Sequence, residues 1–263
     1  MTTLSLSVRA LECLCAVSLI IQTLEFLRLR TVTQNEQVWS WQIQRQQLHD
    51  SPRWLQKSVD WLYRDRVHHV HLLIRLAAAA TLFFGSNLAI SVALFLSTLL
   101  ILIRWRGAFN GGSDFMTVVV QTGMVIAHGA ALVVGPVMGW RAGLWYITIH
   151  AISSYFISGS VKLFDVHWRD GRALPFFIDG AIFGPLKPDS LFYKRWFAIL
   201  SSWSFILWEC SFPLALAGPT WAALWCLIAA VFHFLVFWHF GLNRFFWAWC
   251  ASFPAIIYCS AQW

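Results

Sequence analysis

Apolar runs long enough to cross a bilayer recur along this chain, separated by short polar stretches. A helix rising about 1.5 Å per residue needs about 20 apolar residues to cross a hydrocarbon core of about 30 Å. Such runs lie at Ala10 to Leu27, Thr117 to Val137, Ala142 to Val161, Trp196 to Leu216, Trp221 to Phe240 and Phe245 to Tyr258. The run from Leu72 to Ile103 is too long for one upright span and is interrupted by Gly85-Ser86-Asn87. It predicts two short helices joined by a tight turn. Between the first two spans, Gln34 to Arg66 mixes Trp41, Trp54, Trp61 and Leu62 with Gln and Arg, which predicts amphipathic interfacial helix, a lid or an anchor. The pattern predicts an all-α polytopic transmembrane bundle of about eight helices. No repeat, low-complexity tract or linker divides residues 1–263, so one membrane domain is expected.

Composition agrees with this pattern. Of 263 residues, 59% are hydrophobic and 12% are charged, against about 25% charged in soluble domains. Seventeen Trp and 22 Phe suit aromatic belts and lipid-facing surfaces better than a water-soluble core. The net charge of +7 has a membrane explanation and needs no nucleic acid. Arg28, Arg30, Arg45, Arg53, Lys57, Arg64, Arg66 and Arg75 share one face of the predicted bundle with Arg104, Arg106, Lys162, Arg169, Arg172, Lys187, Lys194, Arg195 and Arg244, while only Arg9 and Arg141 fall on the other. The positive-inside rule makes the crowded face cytoplasmic and turns both chain ends outward. The first apolar run is read as a retained span, because no positive region precedes it and no small-residue cleavage site follows. The six cysteines form no CxxC pair or Cys/His ligand spacing and are read as small buried hydrophobes.

Candidate chemistry rests on ionisable groups inside or at the ends of spans, where desolvation is expensive. Lys162 closes the fifth span and enters a Trp-Arg-Asp-Gly turn; alone it is equally well read as a helix-end lysine snorkelling to the headgroups. Asp114 opens the fourth span, and His233, His239 and Asn243 lie near the end of the seventh, all toward the charged face. By helical rise His233 lies roughly 10 Å inside that face and Glu209 roughly 20 Å. A carboxylate at that depth is protonated or paired, and Arg, Lys or His on a neighbouring helix is the expected partner. A structural helix–helix hydrogen bond remains an equal reading for Glu209 and His233. His128 and His150 are expected to bond nearby carbonyls. No GxSxG, Walker loop or GxGxxG occurs, and no metal or nucleotide is implied.

The run RWRGAFNGGSD, the segment YFISGSVKLFDVHWRDG and the pair WSFILWE and VFHF together resemble the membrane domain shared by vitamin K-dependent gamma-glutamyl carboxylases and the horizontally transferred transmembrane (HTTM) proteins of bacteria. The similarity covers residues 104–258 and rests on the order and spacing of these segments. The resemblance implies a helical membrane domain, a lipid quinone or quinol as cofactor, and a bacterial inner-membrane location. It also implies a lysine base acting on the quinol, and Lys162, followed by Leu163, matches that lysine. Asn110, Asp114, His239 and Asn243 are the residues expected to bind the cofactor, with Lys162, Glu209 and His233 expected to be catalytic. Two departures stand out. Gly112 occupies the position of the family's histidine, and the chain as given ends at Trp263 without the family's large soluble domain. Two functions are therefore expected: a quinol-dependent redox or modification enzyme, or a non-catalytic membrane subunit that assembles with a partner chain or assists maturation and export of a peptide. A transporter has less support, because no inverted repeat appears. Partners are the lipid bilayer and a protein chain, with no nucleic acid.

Overall fold

A computed structural model describes residues 3–29, 32, 37, 39–105 and 111–262, and these contain helices and turns but no strand. The central helix is α1 (Thr3–Arg28). The amphipathic segment contributes α2 (Arg53–Leu62), and the predicted hairpin is α3 (Asp65–Thr81) and α4 (Leu88–Trp105). Then follow α5 (Gly111–Val134), α6 (Pro136–Phe164), the short α7 (Ala173–Asp179), α8 (Arg195–Cys210) and α9 (Pro219–Phe240). The chain closes with α10 (Asn243–Cys250) and α11 (Phe253–Ser260). Four helices, α1, α4, α5 and α9, are long and apolar enough to cross a membrane.

Two of the apolar runs are broken by proline. The run from Trp196 ends as α-helix at Cys210 and continues as a 3-10 turn, Phe212–Ala217. Pro213 lacks the N–H that would bond back to Glu209. Likewise Pro254 cannot donate to Cys250, so the last apolar run becomes two eight-residue helices meeting at Ala251–Ser252.

The α3–α4 hairpin turns where Gly85-Ser86-Asn87 predicts it. Gly85 adopts a φ of 141°, and the Asn87 side chain accepts from the Ile90 N–H at 3.0 Å to start α4. The turn is tied to α1: Arg9 donates to the Leu82 and Phe83 carbonyls, and Glu12 accepts from the Ser86 N–H at 2.8 Å. His128 on α5 joins through the Ser86 hydroxyl at 2.7 Å rather than through a nearby carbonyl. His150 does bond a carbonyl, that of Tyr146, at 2.9 Å.

The closest helix packing joins α5 and α6. A Cβ on Gly143 would lie 2.3 Å from the Gly123 carbonyl oxygen, so backbone meets backbone there and no side chain fits. Small residues let membrane helices approach this way, and van der Waals contact then holds them. Around the pair, α1 packs on α3, α10 and α11, and Leu11, Leu19, Met116, Leu144, Ile147 and Phe212 fill the core.

Replacing Gly143 by Val should therefore cost about 2 kcal/mol, the scale of overpacking a tight core. Gly129→Ala, where an added Cβ meets open space, should be neutral or stabilise by a few tenths of a kcal/mol. Reversible unfolding in mixed micelles measures both, and equal effects would show that the α5–α6 contact is not the constraint.

Candidate functional site

The stripe Tyr155, Ser158, Gly159, Lys162 occupies one face of α6, at spacings of three and four residues. That face lies against the C-terminal end of α8. A Cβ on Gly159 would sit 2.6 Å from the Cys210 backbone nitrogen and 2.8 Å from the Glu209 Cβ, so only glycine admits the approach. On either side of Gly159 the polar groups meet. Lys162 Nζ lies 2.6 Å from Glu209 Oε2 and donates to Ser158 Oγ at 2.6 Å. The Ser158 hydroxyl in turn donates to Glu209 Oε1 at 3.2 Å. Both oxygens of the carboxylate are engaged, and the partner that a buried Glu209 requires is Lys162.

The pair is well shielded, with the two side chains 17% and 5% exposed. Two of the three ammonium donors make short bonds. The third reaches only the Ser158 carbonyl, at 3.5 Å, which is barely a hydrogen bond. The indole of Trp168 adds a cation–π contact, its centroid 5.3 Å from Nζ.

Lys162, Ser158 and Glu209 line a cavity of about 900 Å³ between α6, α8 and α9. The remaining walls are almost all apolar or aromatic, among them Phe177, Phe197, Phe205, Phe232 and Trp238. The cavity exists because α8 and α9 diverge from the 3-10 turn between them and scarcely touch along their backbones. Phe232 of α9 packs against α8, its ring centroid 5.5 Å from that of Phe205 and 5.4 Å from that of Trp208. Phe177 and Ile178 of α7 and Phe192 of the loop after it add to the wall. Asp179 pins that loop, accepting from the Leu186 N–H and the Tyr193 hydroxyl; the second bond raises the Tyr193 phenol above its ordinary range. At the turn leading into α7, Arg172 hydrogen-bonds Asp170 and holds its carboxyl below the usual value.

The other candidate residues divide. His239 lines the same cavity, and its Nε2 lies 2.9 Å from the Ile178 carbonyl. A carbonyl only accepts, so Nε2 carries the hydrogen. His233 lies one helical step away from the cavity wall, 1% exposed, paired with the Tyr155 hydroxyl at 2.6 Å and stacked on Trp249. Asp114 belongs to a different cluster. It accepts from Gln22 at 3.4 Å and faces Arg244 at 3.7 Å, while Arg244 also meets Glu25 at 3.0 Å. Gln22 continues to Arg75, which donates to Thr23, Leu94, Ser97 and Thr98 as well. Asn243 accepts from the Arg244 backbone N–H at 2.6 Å, at the start of α10. Asn110 lies outside the described residues. Ser158 and Trp168 complete the site without having been singled out from sequence; the i, i+4 relation of Ser158 to Lys162 is the signal that points to the serine.

No protein-family profile, curated protein or solved structure matches the chain.

The closed Lys162–Glu209 pair makes a stability prediction. Glu209→Leu or Lys162→Met alone should cost about 3 kcal/mol, because each strands one charge in a shielded site. The double variant should recover most of that loss. Unfolding of the three variants in mixed micelles measures the coupling, and losses that simply add would show that the two groups act independently.

Proposed function

We propose that this chain is an integral membrane protein of the HTTM type, with about eight membrane-crossing segments, whose α6/α8/α9 cavity binds a lipid quinol and removes a proton from it. One observation carries the reading: a lysine–carboxylate pair with an underused N–H donor stands in the wall of a large apolar, aromatic cavity. Ligand pockets of this kind are largely apolar with a few placed polar groups. An aromatic diol on an isoprenoid tail has the matching chemistry, a flat ring for Phe and Trp walls and hydroxyls for the polar end.

In this reading Lys162 first holds a ligand oxygen with its third N–H. The amine becomes a base when its own proton passes to Glu209, which replaces two shielded charges by two neutral groups. The neutral amine then takes the hydroxyl proton, forming N–H as O–H breaks. Ser158 bridges both partners and keeps carboxylate and amine aligned for that transfer. When bound, the quinol would supply two electrons to an acceptor such as dioxygen added in the assay; the chain's own residues would position it, move its proton and keep water away. The gap between α8 and α9 supports entry from the lipid side, which suits a ligand dissolved in the bilayer. The family resemblance supports a location in a bacterial inner membrane.

A non-catalytic subunit is the second reading, supported by α9. Only 22% of its most apolar window is buried, against 39% in α1, α4 and α5. A neighbouring membrane chain packed on α9 would cover that face.

Purification with native lipid, followed by extraction and quinone chromatography, tests the first reading. A stoichiometric quinone should copurify with the wild type and fall at least about tenfold in Phe205→Ala/Phe232→Ala, which strips two rings from the cavity wall. Lys162→Met should retain binding but abolish turnover of added quinol. No bound quinone and no quinol oxidation by the wild type would overturn the enzyme reading, and a partner chain recovered in mild detergent would then favour the second.

A further inference from the structure

The helix α2 exposes a face that no described residue covers. Trp54, Lys57, Ser58 and Trp61 follow one another at spacings of three, one and three residues, so they form a single stripe. All four are exposed, the two indoles at 69% and 56%. The opposite stripe is the docked one, with Val59 buried and Leu55 and Leu62 half-buried. Indoles that could have packed inward are thus turned outward together with cations.

Depth is fixed by bonds to a membrane-crossing helix. At the C-terminal end of α2, the Tyr63 hydroxyl donates to the Leu100 carbonyl at 2.6 Å, little more than a turn before α4 ends at Trp105. From α4 itself, Arg104 donates to the Trp39 carbonyl at 2.6 Å and lies 5.8 Å from the Trp41 ring. Trp41 donates to Asp60 of α2 at 2.8 Å. The segment therefore sits at the level where a span ends, which is the membrane–water boundary. Indoles concentrate at that level because one edge is apolar and the other donates a hydrogen bond.

Charge at this surface is unbalanced. Arg53, Lys57, Arg64 and Arg66 are exposed and make no side-chain hydrogen bond or ion pair among the described residues. The helix's own carboxylate, Asp60, is already taken by Arg45 at 3.0 Å and by Trp41. Asp65 and Asp50 are the other carboxylates near it in sequence, and Asp50 already faces His49 at 2.8 Å. Three or more unpaired cations beside two outward indoles, at the depth of the headgroups, match a phosphate-bearing lipid with net negative charge. A zwitterionic headgroup would gain less, since its own cation repels the cluster.

We propose that the outer face of α2, with Arg64 and Arg66 beside it, binds the headgroups of anionic phospholipids, Trp54 and Trp61 entering the acyl boundary while Arg53, Lys57, Arg64 and Arg66 hold the phosphates. This surface is separate from the α6/α8/α9 cavity and stands whether or not that cavity binds a quinol.

The full chain in detergent micelles carrying equal amounts of dioleoyl-phosphatidylglycerol and dioleoyl-phosphatidylcholine provides the test, with retained lipids counted by native mass spectrometry. The wild type should retain phosphatidylglycerol over phosphatidylcholine by at least about fivefold. R53Q/K57Q/R64Q/R66Q should bring the ratio near one, whereas K187Q/K194Q, which removes charge elsewhere, should leave it unchanged. W54S/W61S should lower the retention of phosphatidylglycerol while all four cations remain. Raising salt should erode the wild-type ratio steadily, and this measurement decides the matter where a variant fails to fold. Equal retention of the two lipids by the wild type, a ratio unmoved by the fourfold substitution, or equal loss in K187Q/K194Q would overturn the proposal. So would a protein chain that copurifies on this face, is lost in W54S/W61S and leaves no lipid preference.

Discussion

A charge taken out of water inside an apolar bundle has to find its counter-charge within the protein, and in this structure that requirement is met by the approach of α6 to α8 at Gly159. The cost of an isolated buried ion is several kcal/mol, so Lys162 and Glu209 must come within hydrogen-bond range. They do so because a glycine lets the two helices meet with no side chain between them. Other features follow from that contact. With α8 drawn against α6, and Pro213 ending α8 just after Glu209, the chain turns through Phe212–Ala217 into α9, whose backbone scarcely meets that of α8. The space left between α8 and α9 is the cavity, and the pair that fixed the helices becomes part of its wall.

Arg75, Arg104 and Arg244 are also buried, and Arg75 makes the contrast with Lys162. Arg75 is 1% exposed, and all three of its guanidinium nitrogens donate to Thr23, Gln22, Leu94, Ser97 or Thr98. It is held by α1 and α4, with every nitrogen of the guanidinium engaged inside the bundle. Such a network fixes how helices sit relative to each other. Lys162 has one donor with only a long contact, and it borders a space large enough for a ring and part of a tail. The two differ both in burial and in how their donors are spent: Arg75 is enclosed, while Lys162 faces a cavity.

Sequence patterns showed the parts that depend on local chemistry. The hairpin at Gly85-Ser86-Asn87 was legible because glycine and an Asx cap act within a few residues. So was the need of Glu209 for a cationic partner, since the cost of a buried carboxylate does not depend on the fold. Which cation it would be was not legible, because that is set by the rotation of α6 about its axis and by the Gly159 contact. The same blindness to rotation put Asp114 beside Lys162, since depth along a helix was readable and azimuth was not. Asp114 in fact faces Gln22 and Arg244, on another side of the bundle. Proline marked where α8 and the last apolar run break, but a count of apolar residues alone passes over both prolines.

His239 carries this contrast into the site itself. Its Nε2–H donates to the Ile178 carbonyl, and its own carbonyl accepts from the Ile182 N–H at 3.1 Å. One residue thus fastens the chain after α7 to the end of α9 at two points. Gly241, in the left-handed region at φ 71°, then ends α9 by donating its N–H to the Phe237 carbonyl. With the cover fixed to α9 there and pinned within its own loop by Asp179, α8 and α9 face each other through side chains, Phe232 against Phe205 and Trp208, rather than through close backbone contact. In the quinol reading proposed above, a ligand entering between α8 and α9 would arrive from lipid and meet Phe and Trp walls before the ammonium, and the Lys162–Glu209 pair would stay shielded until a ligand oxygen replaced the weak 3.5 Å contact.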